Sequence, residues 1–375
     1  MSRESARSPW VFLFVFAVIL VSSKSFAQEK LETISPQAKI YLEQALELMQ
    51  KNALNRALVD WVEVRAEAIA YARNAKTPVD TYPAIVFALT QLKEHHSFLD
   101  LPDNLPISRR REVTAKIEII KGTSRSRNSR SPFAPQKDIR GHFDRSNAKL
   151  FAHLVVPMFV PRYAEDKRNE VESQQFADRL HSVVVRLQRQ KPAGWVIDLR
   201  GNVGGDVWPM LAGIGAVLGE GDLGAFIYPN GNRETWFYRG GQAGTRPPGE
   251  PEVIDSQVKQ PPFAFHELPW VAVLIDRGTG SSGEAVAISF AGRSRERSFG
   301  EHTAGYSTAN EDDTLSDGAV LHLCVAVYAD RIGRQYTNGI DPDVLIPEPH
   351  VRPGEEQDAA LNAAEDWLAR QIGEK

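Results

Sequence analysis

The sequence predicts an α/β core preceded by a small helical domain. Two short apolar runs, residues 195–199 and 271–276, have the length and β-branched content of buried strands, and each leads through a glycine-rich turn into a helical segment. Strands that alternate with helices in this way are typical of a parallel sheet with crossover helices. The chain has 375 residues, 42% of them apolar, which is enough for two or three domains.

The N-terminal segment has the features of an export signal. Arg3 and Arg7 precede an apolar run at residues 10–21, and residues 25–27 (Ser-Phe-Ala) offer a cleavage site. The run is too short to span a bilayer comfortably. We therefore expect residues 1–27 to be removed as a signal peptide, leaving a periplasmic or secreted protein with no stable membrane insertion. Retention as an uncleaved anchor is the alternative.

Residues 28–105 are predicted to form a helical domain. Ser35 followed by Pro36 is typical of a helix start, with the serine as N-cap and the proline in the first turn. Apolar residues recur at helical spacing after this start, and again in residues 54–72 and 81–92. Three packed helices would form a small cap domain ahead of the core.

Residues 106–149 differ from the rest of the chain in charge. Between residues 109 and 149 there are 12 lysines and arginines against 4 acidic residues. A basic run of this kind can bind nucleic acid, but the aromatic residues that stack on bases are nearly absent. We therefore predict an exposed, Ser/Arg/Pro-rich linker or loop region and no nucleic-acid partner.

Residues 150–350 are predicted to form the α/β core. Its elements are expected, in order, as strand 151–157, helix 176–190, strand 195–199, helix 208–218, strand 271–276, helix 284–292 and strand 319–329. The Gly/Pro-rich interval at residues 220–265 is interpreted as a hairpin and loop near the cleft. Residues 351–375 are expected to carry a closing C-terminal helix.

Composition excludes several classes of protein. A net charge of −4 gives no overall attraction to nucleic acid or to anionic membranes. The single cysteine, Cys324, excludes an internal disulfide and a cysteine-rich metal site. No pair of histidines has the i,i+4 spacing with an acidic third ligand that zinc hydrolases use, so we expect no metal and no other cofactor.

Four motifs follow one another in the core. They are residues 198–205 (DLRGNVGG), 279–284 (TGSSGE), 300–305 (GEHTAG) and 339–343 (GIDPD). In order and spacing they resemble the C-terminal-processing (tail-specific) serine peptidases and their tricorn-core relatives, in the branch that lacks a catalytic lysine. The resemblance implies a crotonase-like spiral of β–β–α repeats and a peptide or protein substrate. Periodicity alone leaves a doubly wound sheet equally open.

The second of these motifs presents Ser281 between a strand and a helix, which is how a nucleophile is held clear of a sheet. The resemblance makes Ser281 the nucleophile and Glu284 a support for its turn, whereas an ordinary serine N-cap is the alternative. The backbone amides of Ser282 and of Gly204 or Gly205 are the candidate oxyanion donors. A phosphate-binding loop is not expected, because the Gly-Lys-Ser/Thr ending is absent.

A histidine is the expected general base. The position of the lysine in tail-specific peptidases is Tyr306 here, and the polar partner that follows it is Asn310. Relatives without the lysine use a histidine ahead of the core, which corresponds to His96, with His95 as the second candidate. Neutral imidazole suits this role near pH 7. The alternative is a purely structural histidine pair at a helix C-terminus, where positive charge is favourable. A carboxylate usually orients such a base, and we take Asp330 as the candidate.

These features predict an exported serine peptidase that forms an acyl-enzyme on Ser281 with help from a histidine base. The missing lysine motivates an alternative, a catalytically weak or inactive protein of the peptidase fold that binds a peptide or a hydrophobic ligand. The oligomeric state is left unknown.

Overall fold

The structure is a computed structural model that describes residues 33–120, 135–146, 148–161, 167–260, 262–347 and 358–373. The predicted signal peptide lies outside these residues. Four helices form the N-terminal part of the described chain: α1 (Pro36–Asn52), α2 (Trp61–Tyr71), α3 (Tyr82–Thr90) and α4 (Ile107–Ile120). The Ser35 hydroxyl accepts a hydrogen bond from the Ala38 amide at 3.2 Å, which confirms the predicted start of α1.

The basic interval at residues 106–149 is more ordered than the predicted linker. It contains α4 and the edge strand β2 (Arg140–Ser146), which pairs antiparallel with β3 (Lys149–Val155). Val113 and Ile117 are buried on the inner side of α4, so the helix is stabilised by packing that its charge count does not reveal. The Ser/Arg/Pro-rich part at residues 121–134 lies outside the described residues.

A mostly parallel six-stranded sheet forms the centre of the core. Besides β2 and β3 it contains β4 (Gly194–Asp198), β9 (Val271–Ile275), β10 (Glu296–Gly300) and β14 (Val344–Leu345). The strand order is β14-β10-β9-β4-β3-β2, in which every pair is parallel except β3 with β2. Every residue of β4 and β9 is buried, because helices cover both faces of the sheet.

Helices pack on the two faces of this sheet and form separate apolar clusters. On one face lie α5 (Lys167–Gln188), α6 (Val207–Leu218) and α7 (Ser282–Phe290), against inward side chains such as Trp195. On the other face lies α8 (Ala359–Gly373), whose Trp367 packs near Phe299. The alternation of side chains along each strand therefore divides the core into two layers.

A second, antiparallel sheet of eight strands lies beside the first. Its strands are β1 (Phe98–Asp100), β5 (Gly221–Ile227), β6 (Arg233–Arg239), β7 (Gln242–Arg246), β8 (Val253–Gln257), β11 (Thr308–Thr314), β12 (Val320–Asp330) and β13 (Gln335–Tyr336). Strands β5–β8 occupy the interval that was expected to be a hairpin and loop. The strands form because Trp236 and Tyr238 of β6 are buried in the apolar core, and their packing stabilises this part of the sheet.

The N-terminal helices pack directly on this second sheet. Side chains of α1 and α3 share one apolar cluster with Leu321, Leu323 and Val325 of β12. The hydroxyls of Tyr41 and Tyr82 each donate a hydrogen bond of 2.6 Å to the carboxylate of Asp317. This docking carries the segment after α3 to the edge of β11 and β12. No described helix is both long and apolar enough to cross a membrane.

Candidate active site

The turn between β9 and α7 holds Ser281 in an unusual backbone conformation. Its φ of 52° and ψ of −120° lie in a region that non-glycine residues rarely occupy. A serine on a sharp, strained turn between a strand and a helix is also the arrangement of the nucleophile elbow in α/β-hydrolases. Ser281 is partly exposed at the start of α7, whereas Ser282 is buried.

The buried carboxylate of Glu284 holds this turn in place. One of its oxygens accepts the Ser281 amide at 3.2 Å, and the other accepts the Gly305 amide at 2.9 Å and the Thr303 hydroxyl at 2.5 Å. Burial outweighs these hydrogen bonds and raises the pKa of Glu284 to about 7. Glu284 therefore links the serine turn to the third sequence motif.

Asn202 connects the serine turn to the glycine loop that follows β4. Its backbone carbonyl accepts the Gly280 amide at 2.9 Å, and its side-chain oxygen accepts the Gly204 amide at 3.0 Å. Its side-chain nitrogen donates to the carbonyl of Val156 at 3.0 Å. The two loops that carry the catalytic candidates are thus joined through the backbone of one buried residue, whose side chain holds the glycine loop in shape.

Glycine is required at both candidate positions of this loop. Gly204 and Gly205 have φ values of 112° and 111°. A Cβ at Gly204 would stand 2.8 Å from the Cβ of Ser281, and a Cβ at Gly205 would stand 1.9 Å from the carbonyl oxygen of Phe159. The absence of side chains lets the loop lie directly against the serine.

The amide hydrogens at this site are not all available for an oxyanion. The Gly204 amide is used by Asn202, whereas the Gly205 and Ser282 amides have no acceptor among the residues that the structure describes. The Ser282 hydroxyl donates to the carbonyl of Gly205 at 2.5 Å, which brings these two residues together.

His96 lies after α3, where the helical segment meets β11. Its Nδ1 is 2.8 Å from the hydroxyl of Thr308, and its backbone carbonyl accepts the Asn310 side-chain amide at 2.9 Å. The Tyr306 ring is 5.1 Å from the His96 ring and 3.3 Å from the point where a Cβ at Gly280 would stand. Tyr306 therefore contacts both the histidine and the serine turn.

The environment of His96 favours the neutral imidazole. Burial lowers the pKa of His96 to about 4, against a smaller opposing effect of the nearby Glu94 carboxylate. At neutral pH the ring can therefore accept a proton at one nitrogen.

A chain of hydrogen bonds continues from His96 into the protein. The Thr308 hydroxyl lies 3.2 Å from the Cys324 sulfur, and that sulfur lies 3.0 Å from a carboxylate oxygen of Glu94. The same oxygen accepts the backbone amides of His96 at 2.7 Å and Ser97 at 3.0 Å. Burial, with the adjacent Glu94 charge, raises the pKa of the Cys324 thiol, which stays protonated. Sequence reasoning missed these partners of His96.

The comparison with known families covers the core. Residues 163–346 match peptidase family S41. This part of the chain belongs to the S41, or tail-specific, peptidase superfamily. The nisin-resistance protein of Lactococcus lactis subsp. lactis is 26% identical over 340 residues, which is 90% of this chain and 89% of that protein. A chloroplastic C-terminal processing peptidase of Tetradesmus obliquus is 28% identical over 189 residues, which is 50% of this chain and 36% of that protein.

Solved structures agree with a peptidase S41 fold. A lipoprotein from Streptococcus agalactiae superposes with a TM-score of 0.62 at 20% identity, covering 90% of this chain and 98% of that one. The photosystem II D1 C-terminal processing protease superposes with a TM-score of 0.52 at 15% identity, covering 84% and 96%. At these identities the likeness concerns the fold, a mixed α/β arrangement with two sheets.

The S41 motifs supply most of the residues that meet around Ser281. Ser282, Glu284 and the Gly204–Gly205 pair contact the serine turn, and Tyr306 and Asn310 contact His96, while the side chain of His95 is exposed.

Asp330 belongs to a different hydrogen-bond network. Its carboxylate accepts the amides of Ile332 and Arg334 and the hydroxyl of Tyr336, each at 3.0 Å, and thereby stabilises the turn from β12 to β13.

Proposed function

We propose that the chain is an exported serine peptidase in which the Ser281 hydroxyl attacks a peptide carbonyl. The observation that carries this proposal is the strained conformation of Ser281 at the start of α7, beside the glycine loop. Such strain persists only where the surrounding structure over-determines it, and it clusters at active sites. The crotonase-like spiral that the family resemblance implies belongs to the same proposal, since the parallel sheet and its helices are compatible with it.

His96 is the proposed base, and its hydrogen bonds suit that role. With Nδ1–H donating to Thr308, the Nε2 lone pair is left to take the proton of Ser281. Thr308 then donates to the sulfur of Cys324, and the thiol donates to the Glu94 carboxylate, so that Thr308 and Cys324 each accept once and donate once along the chain. We propose Glu94, acting through this chain, in the orienting role that the sequence suggested for Asp330.

The amides of Ser282 and Gly205 are the proposed oxyanion donors. Both lie at the junction of the two loops, and α7 starts there, so the helix dipole adds to the stabilisation of negative charge. Removing one such donor typically costs about 3 kcal/mol of transition-state stabilisation.

A pocket next to the glycine loop is the proposed site for a substrate side chain. It measures about 630 Å³ and is lined by Met158, Phe159, Val160 and Phe176, with charged groups that include Lys137 and Arg179. The Phe159 amide donates to the carbonyl of Gly204 at 3.2 Å, which fixes the pocket beside the proposed oxyanion site. Apolar residues and polar or charged residues line the pocket in equal number, which suits a peptide side chain with both apolar and polar parts.

Peptide hydrolysis by the purified protein tests the proposal. The nisin-resistance relative matches most of the chain, so nisin is the first peptide to include, beside a panel of unmodified peptides that differ in apolar content. Mass spectrometry should find defined cleavage products with the wild type and none with Ser281→Ala. Binding of a peptide by the wild type with no cleavage in the panel would favour the alternative, a binding protein of the peptidase fold. Hydrolysis that persists in Ser281→Ala would overturn the assignment of the nucleophile.

A further inference from the structure

A cluster of histidines and carboxylates lies outside the proposed active site, on the hairpin formed by β2 and β3. His142 and His153 stand directly opposite each other in this antiparallel pair. Asp144 is two residues from His142, so its side chain is on the same face of the strand. The face is the one that α8 covers, since the neighbouring Phe151 packs in the α8 cluster.

The three side chains place their donor atoms close together. Nδ1 of His153 is 2.8 Å from one oxygen of Asp144, and Nε2 of His142 is 3.4 Å from the other. One donor atom from each residue lies within 4.8 Å of the others. Tetrahedral zinc with bonds of about 2.0–2.1 Å holds neighbouring ligand atoms roughly 3.4 Å apart. The donors therefore approach the required spacing without a change in the backbone.

The second nitrogen of His153 already has the partner that ligating histidines usually have. Its Nε2 is 3.3 Å from the carboxylate of Asp198, which is held in turn by Arg200 at 2.7 and 2.9 Å. Arg200 also pairs with Asp358 at 2.8 Å. A carboxylate on the far nitrogen fixes the orientation and tautomer of a metal-bound imidazole and makes it a better ligand.

The charge balance of the cluster favours a cation. The carboxylates are Asp144, Asp198, Asp358 and Glu365, whereas the guanidinium groups are Arg200 within the cluster and Arg140 at its edge. Burial and the surrounding negative charges raise the pKa of Glu365 to about 7.

We propose that His142, Asp144 and His153 bind a transition-metal dication, with zinc as the first candidate. Two imidazole nitrogens and one carboxylate oxygen suit zinc and other first-row transition-metal dications, whereas calcium and magnesium prefer a set of oxygen ligands only. The side chain of His142 is 53% exposed, which leaves the fourth position open to water. The ion would link the edge strand β2 to β3 and so stabilise their pairing. This proposal does not depend on the proposed peptidase activity.

Zinc titration of the tag-free, chelator-treated protein tests this site. Calorimetry should show one zinc bound per chain, and one equivalent of zinc should raise the thermal unfolding midpoint. His142→Ala and Asp144→Asn should each weaken the affinity at least tenfold, since loss of even an outer-shell partner costs 10–100-fold. Circular dichroism without metal confirms that both variants fold, which the exposure of His142 favours.

His302→Ala is the matched control. His302 is another exposed histidine paired with an aspartate, at 2.8 Å from Asp341, but no third ligand accompanies it among the described residues. Its substitution should leave zinc affinity unchanged. The proposal is overturned if the wild type takes up no zinc at one equivalent. It is equally overturned if His142→Ala binds zinc as tightly as the wild type.

Discussion

The backbone conformation of Ser281 and the protonation state of His96 are set by different physical effects. The serine is held in a strained backbone conformation, a cost of roughly 1–3 kcal/mol that the contacts of Glu284 and Gly204 offset. The protonation state of His96 is instead set by burial, which lowers the pKa of the ring to about 4. The proposed base is therefore neutral over a wider range of pH than an exposed histidine would be.

The pH dependence of Ser281 reactivity should reveal this pKa. The neutral base is the active form, so labelling of Ser281 by a fluorophosphonate should persist below pH 6.5 and be half lost near pH 4. A midpoint near 6.5 would contradict a half-buried His96 acting as the base.

Folding must be followed at each pH as the control. Because the His96 pKa is lower in the folded chain than the ordinary value of about 6.5, the unfolded chain binds more protons between pH 6.5 and pH 4. The contribution of His96 to stability therefore falls through this window as pH decreases. Circular dichroism at each pH separates loss of structure from protonation of the base.

Local sequence was sufficient to predict which residues lie around Ser281. Ser281, Ser282 and Glu284 lie within four consecutive residues, and the glycine loop is recognisable by its own motif. The partners of His96 were not predictable in this way, because Thr308 and Cys324 reach it only through strand pairing and domain docking.

At the scale of elements, β11 and β12 connect the histidine to the core. Thr308 stands on β11 and Cys324 on β12, while Glu94 precedes β1. Strand β1 pairs with the start of β12, as in Phe98 opposite His322. This pairing carries the Glu94–His96 segment to the other members of the hydrogen-bond chain.

Thr308→Val should slow fluorophosphonate labelling of Ser281 by roughly 10–100-fold, since the loss of one orienting hydrogen bond to the base is worth about 1.5–3 kcal/mol. The substitution preserves shape and removes only the hydroxyl that meets Nδ1 of His96. Thr314→Val is the matched control, because Thr314 is exposed on the same strand. Equal labelling rates for Thr308→Val and the wild type would show that Thr308 does not orient His96.

The role of the Cys324 thiol in the hydrogen-bond chain can be tested by two substitutions. Serine retains a donor and an acceptor, so Cys324→Ser should label within a few-fold of the wild-type rate. Alanine interrupts the path to Glu94, and Cys324→Ala should resemble Thr308→Val. If both variants label at the wild-type rate, Glu94 does not act through the thiol.

The elements themselves were predictable where periodicity was strong. The buried strands β4 and β9 and the helices α6 and α7 were placed to within about two residues. Strands β5–β8 were missed because many glycines and prolines in residues 220–265 indicate turns, whereas tertiary packing of Trp236 and Tyr238 overrides that local signal.

At the scale of the whole molecule, the helices and the second sheet share one apolar core. The catalytic histidine candidate lies between them, so its position depends on this docking. Asp317 is a central contact, because it accepts the hydroxyls of Tyr41 and Tyr82 at 2.6 Å each. Hydrogen bonds to a charged group are stronger than those between neutral groups.

Asp317→Asn should lower the free energy of unfolding by about 1.5–3 kcal/mol, as expected for weakened charge-assisted hydrogen bonds. Urea unfolding followed by far-UV circular dichroism and by tryptophan fluorescence should give one coincident transition, because the N-terminal helices and the second sheet share a core. Asp103→Asn, on an exposed loop, removes the same charge as a control. Two separate transitions would show that the helices unfold independently of the sheet.

Fluorophosphonate labelling with peptide mapping shows directly whether Ser281 is activated by His96. The wild type, Ser281→Ala and His96→Ala are compared at pH 7. We expect a single label on Ser281 in the wild type, none in Ser281→Ala, and a loss of labelling rate of at least 100-fold in His96→Ala, in the range given by removal of a general base. A label on Ser281 that forms at the wild-type rate without His96 would contradict the proposed base. A folded wild type that takes up no label would contradict an activated serine.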